Sequence, residues 1–239
     1  MAANANTYTN VKAAVICNEP SNAQPKIAAT TLATYLTEAK GKITRADVTV
    51  SVADIWYAWL DSSYQQSLGP LVDTLIVHVY PYWDNQCVTY GAQYVQERIA
   101  AVQDAYPGKK IVLGETGWPT AGAPQPQAAT NCTGLGQPTS FGDPSIANQQ
   151  RFLQDFLARP GLSTLPFFYF ESYDEPSKAD EPNGVGPNWG THFVDGTCKA
   201  PSGITGVFPP TNTAQACSPR VAAIAPAADL AVVAPAGVR

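Results

Sequence analysis

Lys109-Lys110-Ile111-Val112-Leu113-Gly114-Glu115-Thr116-Gly117-Trp118-Pro119-Thr120 is the stretch on which the reading of this chain turns. A short apolar run with charge before it and Gly, Trp and Pro after it reads as a buried strand that stops abruptly. Glu115 stands where it stops. Strand ends of this kind have rigid backbone below and an open mouth above, which is where parallel barrels keep their chemistry. Taken alone, a strand-end glutamate is more often a cap or a solvated charge. Its neighbours change that: Gly114 and Gly117 let the backbone turn tightly on both sides, Trp118 supplies a flat apolar face, and Pro119 fixes the exit of the loop. An acid beside an aromatic suits a sugar ring, which offers hydroxyls at its edge and C–H groups on its face.

Working outward, the same grammar repeats. Val11 to Ile16 is an apolar run ending in Cys17-Asn18-Glu19-Pro20, again a carboxylate at a strand end. Pro25 to Lys40, with apolar Ala28, Leu32, Tyr35 and Leu36 and Gly41 as its stop, predicts a helix. Val48 to Val52 is a second strand, followed by an aromatic-rich connection, Asp54 to Leu60. Leu75 to Val79 is the third, ending in Tyr80-Pro81-Tyr82-Trp83. Thr89 to Tyr106 reads as a helix stopped by Pro107-Gly108, and the Glu115 strand is the fourth. After a Gly-, Pro- and Gln-rich loop from Thr120 to Gly142, Asp143-Pro144 opens a helix to Arg159. Leu165 to Phe170 is the fifth strand, ending in Glu171-Ser172-Tyr173-Asp174-Glu175-Pro176. Asn188 to Val194 reads as a short closing segment. Alternating strand and helix predicts a parallel α/β fold. Acids and aromatics at successive strand ends predict a TIM-type (β/α)8 barrel rather than a doubly wound sheet.

With 239 residues, 45% hydrophobic and a net charge of −5, the chain has room for one sizeable core and no basic cluster for a nucleic-acid partner. Five cysteines, Cys17, Cys87, Cys132, Cys198 and Cys217, leave at least one thiol unpaired within the chain. Their spacing offers no metal pattern. Residues 1–10 are polar and lack the pattern of a signal peptide. Residues 11–210 form the predicted domain, and 211–239, rich in Ala, Val and Pro, read as a disordered tail too short and broken for a membrane span. Asn131-Cys132-Thr133 is a glycosylation sequon.

Leu113-Gly114-Glu115-Thr116-Gly117-Trp118-Pro119-Thr120 resembles the signature of glycoside hydrolase family 17, the β-1,3-glucanases and related glucanosyltransferases. The resemblance makes Glu115 the nucleophile. Asn18-Glu19 matches the family's Asn-Glu pair, which implies that Glu19 is the acid/base and that Asn18 binds the sugar's 2-hydroxyl. Cys17 stands where the family usually has glycine. His78-Val79-Tyr80-Pro81-Tyr82-Trp83 resembles the segment after the sixth barrel strand. Tyr80 would then hydrogen-bond beside the nucleophile, and Tyr82, with Trp83, would form a sugar platform; both readings of Tyr82, platform and core plug, stay open. His78 reads as a core histidine. Phe170 to Lys178 resembles the eighth-strand motif, with Glu175 and Lys178 as sugar-binding or supporting groups, although the family's aromatic near Ser177 is missing. Asp180 and Glu181 read as a solvated loop. No cofactor and no metal is implied.

In the family the acid/base lies on the fourth strand and the nucleophile on the seventh, so the five strands correspond to the fourth through eighth. A full barrel takes about 250 residues, and an open five-stranded segment exposes strand edges. Self-assembly that completes the barrel is one solution. Two carboxylates flanking a glycosidic bond give retention of configuration at about 5–5.5 Å. The acid/base must hold its proton near neutral pH, which an apolar or anionic neighbourhood provides. The expected partner is β-1,3-glucan and the expected location extracellular or in the cell wall. A non-catalytic glucan-binding protein and an inactive remnant are the rival expectations.

Overall fold

The structure, a computed structural model, describes residues 1–126, 132 and 142–199, together with the backbone of 231–233. Most of the Thr120–Gly142 loop, the Asn and Thr of the sequon, and most of the 211–239 tail therefore lie outside the described residues. The chain divides into two compact units, one of residues 1–79, 98–114 and 227–239, the other of 80–97 and 115–226.

The first unit carries most of the sheet. Its elements are α1 (Ala2–Thr7), β1 (Val11–Asn18), α2 (Ala29–Lys42), β2 (Thr49–Ile55), α3 (Trp56–Leu60), α4 (Ser62–Ser67) and β3 (Thr74–His78). The C-terminal half of α5 (Val88–Ala105) and most of β4 (Lys110–Thr116) complete it. The strands run in the order β4-β3-β2-β1. β1 pairs parallel with β2 through Ala13–Thr49, Ala14–Val50 and Val15–Ser51, and β2 with β3 through Ala53–Ile76 and Asp54–Val77. Val15, Ala53, Ile76 and Val112, one from each of β1 to β4, pack into a single apolar cluster. Near-continuous burial along β2 and β3 is what covered parallel strands require.

α2 buries Leu32 and Leu36, one turn apart, both wholly enclosed. Each such leucine stabilises the fold by about 1.5–3 kcal/mol. Tyr35, expected on the same stripe, is instead exposed. Gly41 does not stop this helix, which runs one residue further. The aromatic connection after β2 is two short helices, the second capped by Asp61, whose carboxylate accepts from the Ser63 N–H at 2.8 Å. Trp59, wholly buried, donates from its indole N–H to the Ile76 carbonyl at 3.0 Å and lies edge-on to the rings of Tyr64 and Tyr106.

Both ends of the chain add elements to this unit. Within residues 1–10, α1 buries Ala5 against Val11, Ala14 and Val48. The Arg45 guanidinium accounts for the helix's end by donating to the carbonyls of Ala5, Tyr8 and Thr9. The backbone of 231–233 forms a strand, β6 (Ala231–Val233), which pairs parallel with the outer edge of β1. Its three residues, Ala-Val-Val, suit a strand, and the β1 edge offers unpaired backbone groups.

The second unit holds the loop after β3, the first half of α5, the end of β4, α6 (Ile146–Ala158), β5 (Phe167–Tyr169) and three single 3-10 turns between Pro176 and Asn188. β5 joins at the end of β4, where the Phe170 N–H donates to the Thr116 carbonyl at 2.8 Å. α6 is capped by Ser145, whose hydroxyl accepts from the Asn148 N–H at 3.1 Å, one residue after the expected Asp143-Pro144 start. Phe152, Leu153 and Phe156 are buried as its stripe predicts, with Phe156 against Phe167 at 4.9 Å between ring centroids. Cys87 and Cys132 form a disulfide, Cys198 is also disulfide-bonded, and Cys17 is the free thiol among the described residues.

Candidate active site

Glu19 sits one residue past β1 in the first unit. Its N–H donates to the Ala53 carbonyl at 2.8 Å and its φ of +44° lies in the left-handed region. That turn takes the chain off the strand and leaves the carboxylate about a quarter exposed. Oε1 is 2.9 Å from Nδ1 of His78, and Oε2 accepts from the Asn22 amide at 3.1 Å. Asn18 is exposed at the end of β1, in register with Ala53.

His78 is buried, as expected of a core histidine, and it pairs with the candidate acid. Gly114 explains how the ring fits: a Cβ there would meet the imidazole at 2.8 Å and Ile76 Cγ2 at 2.5 Å. The pair also reverses the expected electrostatics. Burial alone pushes Glu19 up, but the hydrogen bond and charge of His78 and the hydrogen bond from Asn22 outweigh it, so the carboxyl is held below its ordinary value. The sequence called for an apolar or anionic neighbourhood; the fold supplies an imidazole. Because the folded value is lowered, the contribution of Glu19 to stability is full above the ordinary carboxylate range. It is lost as pH falls through the lowered value. Thermal melts taken from neutral to strongly acid pH should therefore fall more steeply for the wild type than for Glu19→Gln, and parallel curves would refute the linkage.

In the second unit Glu115 is half-buried, and the Tyr80 phenol donates to its Oε2 at 2.7 Å. Tyr80 is fixed edge-on against Phe170 and Trp189, at 5.8 and 5.2 Å. Tyr82 and Trp118, two expected sugar contacts, are enclosed at 1% and 0% exposure. Neither ring offers a face to solvent, and of the two readings of Tyr82 this burial fits the core plug: the rings pack on each other, on Trp189 and on Phe152. The Tyr82 phenol donates to the Ala123 carbonyl at 2.9 Å and the Trp118 indole to that of Asp143 at 3.1 Å. Trp83 is the exposed ring of this cluster, lying 6.0 Å from Trp189.

Lys178 lies 3.0 Å from Glu171, 2.5 Å from Glu175 and 4.3 Å from the centre of the Phe170 ring. Glu175, the expected sugar ligand, is exposed and held low by Lys178. Glu171 is the more enclosed acid, and burial pushes it up against the pull of Lys178. Asp180 is exposed as expected, whereas Glu181 is half-buried and pushed up by that burial.

Three supports escaped the sequence. Lys199, buried, bonds Asp174 and the Thr120 hydroxyl, joining the loop after β4 to the one after β5. The Gln149 amide, 1% exposed, is shared among the carbonyls of Trp118, Trp189 and Gly190 at 3.0, 3.0 and 3.2 Å. Trp189 itself is central to the aromatic cluster. Gly117 shows how tight the nucleophile loop is, since a Cβ there would stand 2.1 Å from the Phe170 carbonyl oxygen. Gly117→Ala should destabilise the fold by about 1–3 kcal/mol, read as a lowered midpoint in denaturant; an unchanged midpoint would show that the loop can give way.

Acids at the ends of parallel strands, one of them set in an aromatic cluster, stand where a parallel barrel keeps its chemistry. Comparison with known proteins agrees. The pattern of the BtgE/BtgC glycoside hydrolase domain matches residues 1–190, and the chain belongs to that family, within glycoside hydrolase family 17. It is 27% identical over 163 residues to a glucan 1,3-beta-glucosidase of Schizosaccharomyces pombe, covering 64% of this chain and 44% of that one. It is 29% identical over 160 residues to a probable family 17 glucosidase of Saccharomyces cerevisiae, covering 65% and 36%. The chain thus spans less than half the length of these relatives. Among solved structures, the β-1,3-glucanosyltransferase of Rhizomucor miehei superposes with a TM-score of 0.60 at 23% identity, covering 76% of this chain and 59% of that one. Its active-site mutant in complex with laminaritriose gives 0.63 at 23% identity, covering 78% and 61%. The fold is therefore that of an incomplete (β/α)8 barrel. Among the described residues, no helix is long and apolar enough to cross a membrane.

Proposed function

We propose that this chain is a retaining glycosidase acting on β-1,3-glucan. The observation that carries the reading is the strand-end Glu115 with the Tyr80 phenol bonded to one carboxylate oxygen, in a loop that matches the family signature. Family membership and the names of the relatives, glucan 1,3-beta-glucosidases and a glucanosyltransferase, supply the substrate class. An extracellular or wall location is the corresponding expectation.

The chemistry runs in two steps. A Glu115 oxygen attacks the anomeric carbon while the bond to the leaving oxygen breaks, and Glu19, which must first take up a proton against the pull of His78 and Asn22, delivers it to that oxygen. Glu19, now a base, takes a proton from water or from a sugar hydroxyl, whose oxygen attacks the same carbon and releases Glu115. Water gives hydrolysis, a sugar hydroxyl transglycosylation. Tyr80 orients the nucleophile and loses its hold as the glycosyl ester forms. Trp83 offers the exposed face on which a pyranose can stack; Tyr82 and Trp118 support the wall behind it. Asn18, Glu175 and Lys178 would bond sugar hydroxyls.

The test is proton NMR of a β-1,3-linked glucan oligosaccharide during turnover by the purified chain. First-formed products of β configuration are expected. First-formed α product would overturn the retaining mechanism, and no turnover by a cooperatively folded sample would remove the enzymatic reading for this chain.

A further inference from the structure

We infer that Asp54, through Ser21, is the residue that positions Glu19 for proton transfer. The inference rests on the functional reading above and uses groups that lie in the first unit.

Asp54 is the sixth residue of β2 and wholly buried. Four donors converge on its carboxylate: the Ser21 hydroxyl at 2.6 Å, the Ser21 N–H at 3.2 Å, the Ile55 N–H at 2.8 Å and the Tyr64 phenol at 2.6 Å. A carboxylate so ringed acts as an acceptor throughout. Two of the four bonds come from one residue that lies outside the sheet, on the turn that follows β1.

That turn carries the candidate acid. Glu19 is held at its N–H by the Ala53 carbonyl, next to Asp54, and its own carbonyl accepts from the Asn22 N–H at 2.9 Å. The Asn22 amide then returns to the Glu19 carboxylate. Ser21 is the neighbour of Asn22, so anchoring Ser21 to Asp54 fixes where the Asn22 amide stands and hence one of the bonds that aim Glu19. Among the described residues, no other residue of the turn makes two bonds to one buried side chain. Burial pushes the Asp54 pKa up and the four hydrogen bonds oppose it, a burden the fold carries at a strand end where an apolar side chain would pack without it.

Ser21→Ala, Asp54→Asn, Ser21→Thr and Tyr64→Phe separate positioning from stability. Tyr64→Phe removes a bond to Asp54 without touching the turn. The substrates are a β-1,3-glucan oligosaccharide and the matching dinitrophenyl laminaribioside, whose phenolate departs without a proton. Asp54→Asn should lower kcat/KM on the oligosaccharide by about 10²-fold, the scale of a small misplacement, with kcat/KM on the aryl substrate, which reports only the step that needs no proton, much less affected. Ser21→Ala should act in the same sense and Ser21→Thr restore the rate. Tyr64→Phe should lower Tm while kcat/KM stays close to wild type. Equal losses on both substrates, or losses that follow Tm through all four variants, would overturn the inference. Should the wild type turn over neither substrate, the functional reading fails. The positioning claim is then decided by carbon-13 titration of the Glu19 carboxyl. An upward shift in Ser21→Ala but not in Tyr64→Phe supports it, and no shift in either refutes it.

Discussion

Glu115→Gln should reduce turnover of a β-1,3-glucan oligosaccharide by about 10⁵–10⁶-fold, the scale of losing a covalent nucleophile. The substitution keeps the side chain's volume and an oxygen for the Tyr80 phenol, so the melting temperature should hardly move. The smaller Glu115→Ala opens space at the same place. With an aryl glycoside and azide, azide should enter there and give a glycosyl azide of inverted configuration, whereas Glu19→Ala with azide should give the retained one. A Glu115→Gln variant within tenfold of wild type would place the nucleophile elsewhere.

The second large effect is on stability. Lys199 is 2% exposed at its side chain and Asp174 9%. Burial lowers the Lys199 pKa, and Asp174 acts against that. Lys199→Met keeps the length of the side chain and removes the charge, which leaves the Asp174 carboxylate enclosed with only the Gly190 N–H, at 3.1 Å, among its described hydrogen bonds. Breaking a buried pair from one side costs about 3–5 kcal/mol, and in a chain of this size that is roughly 10 °C in Tm. Adding Asp174→Leu should restore much of the loss, because the stranded charge is then gone. A single variant within about 1 kcal/mol of wild type would show that Asp174 reaches water or takes up a proton instead.

What the sequence made legible follows from range. The five strands announced themselves as local apolar runs, and their ends were approximate because parallel pairing extends a strand as far as its neighbour does. β2 runs on to Ile55 beside β3, for instance, past the last alternating valine. Glu115 and Glu19 were visible because each stands in a continuous motif. The groups that hold them were not. His78 lies 59 residues from Glu19, Asp54 lies 33 from Ser21, and Lys199 lies 79 from Thr120. A lone buried aspartate or lysine carries no local pattern, so only the folded geometry reveals its partner. For Tyr82 and Trp118, residue type marks an aromatic, but exposure, which sequence does not give, decides whether its face is available.

The pairing of β6 with β1 has a kinetic consequence. It joins backbone from residues 11–14 to residues 231–233, more than two hundred positions along the chain. Closing a loop of that length carries an entropy term of about 5 kcal/mol plus a constant, and three paired residues return little against it. The four-stranded part of the sheet, built from neighbours close in sequence, therefore has to exist before the tail can settle on its edge. In hydrogen exchange the amides of β6 should open at low free energy, well ahead of those in β2 and β3. The last of the described strands is also the last to arrive and the first to leave.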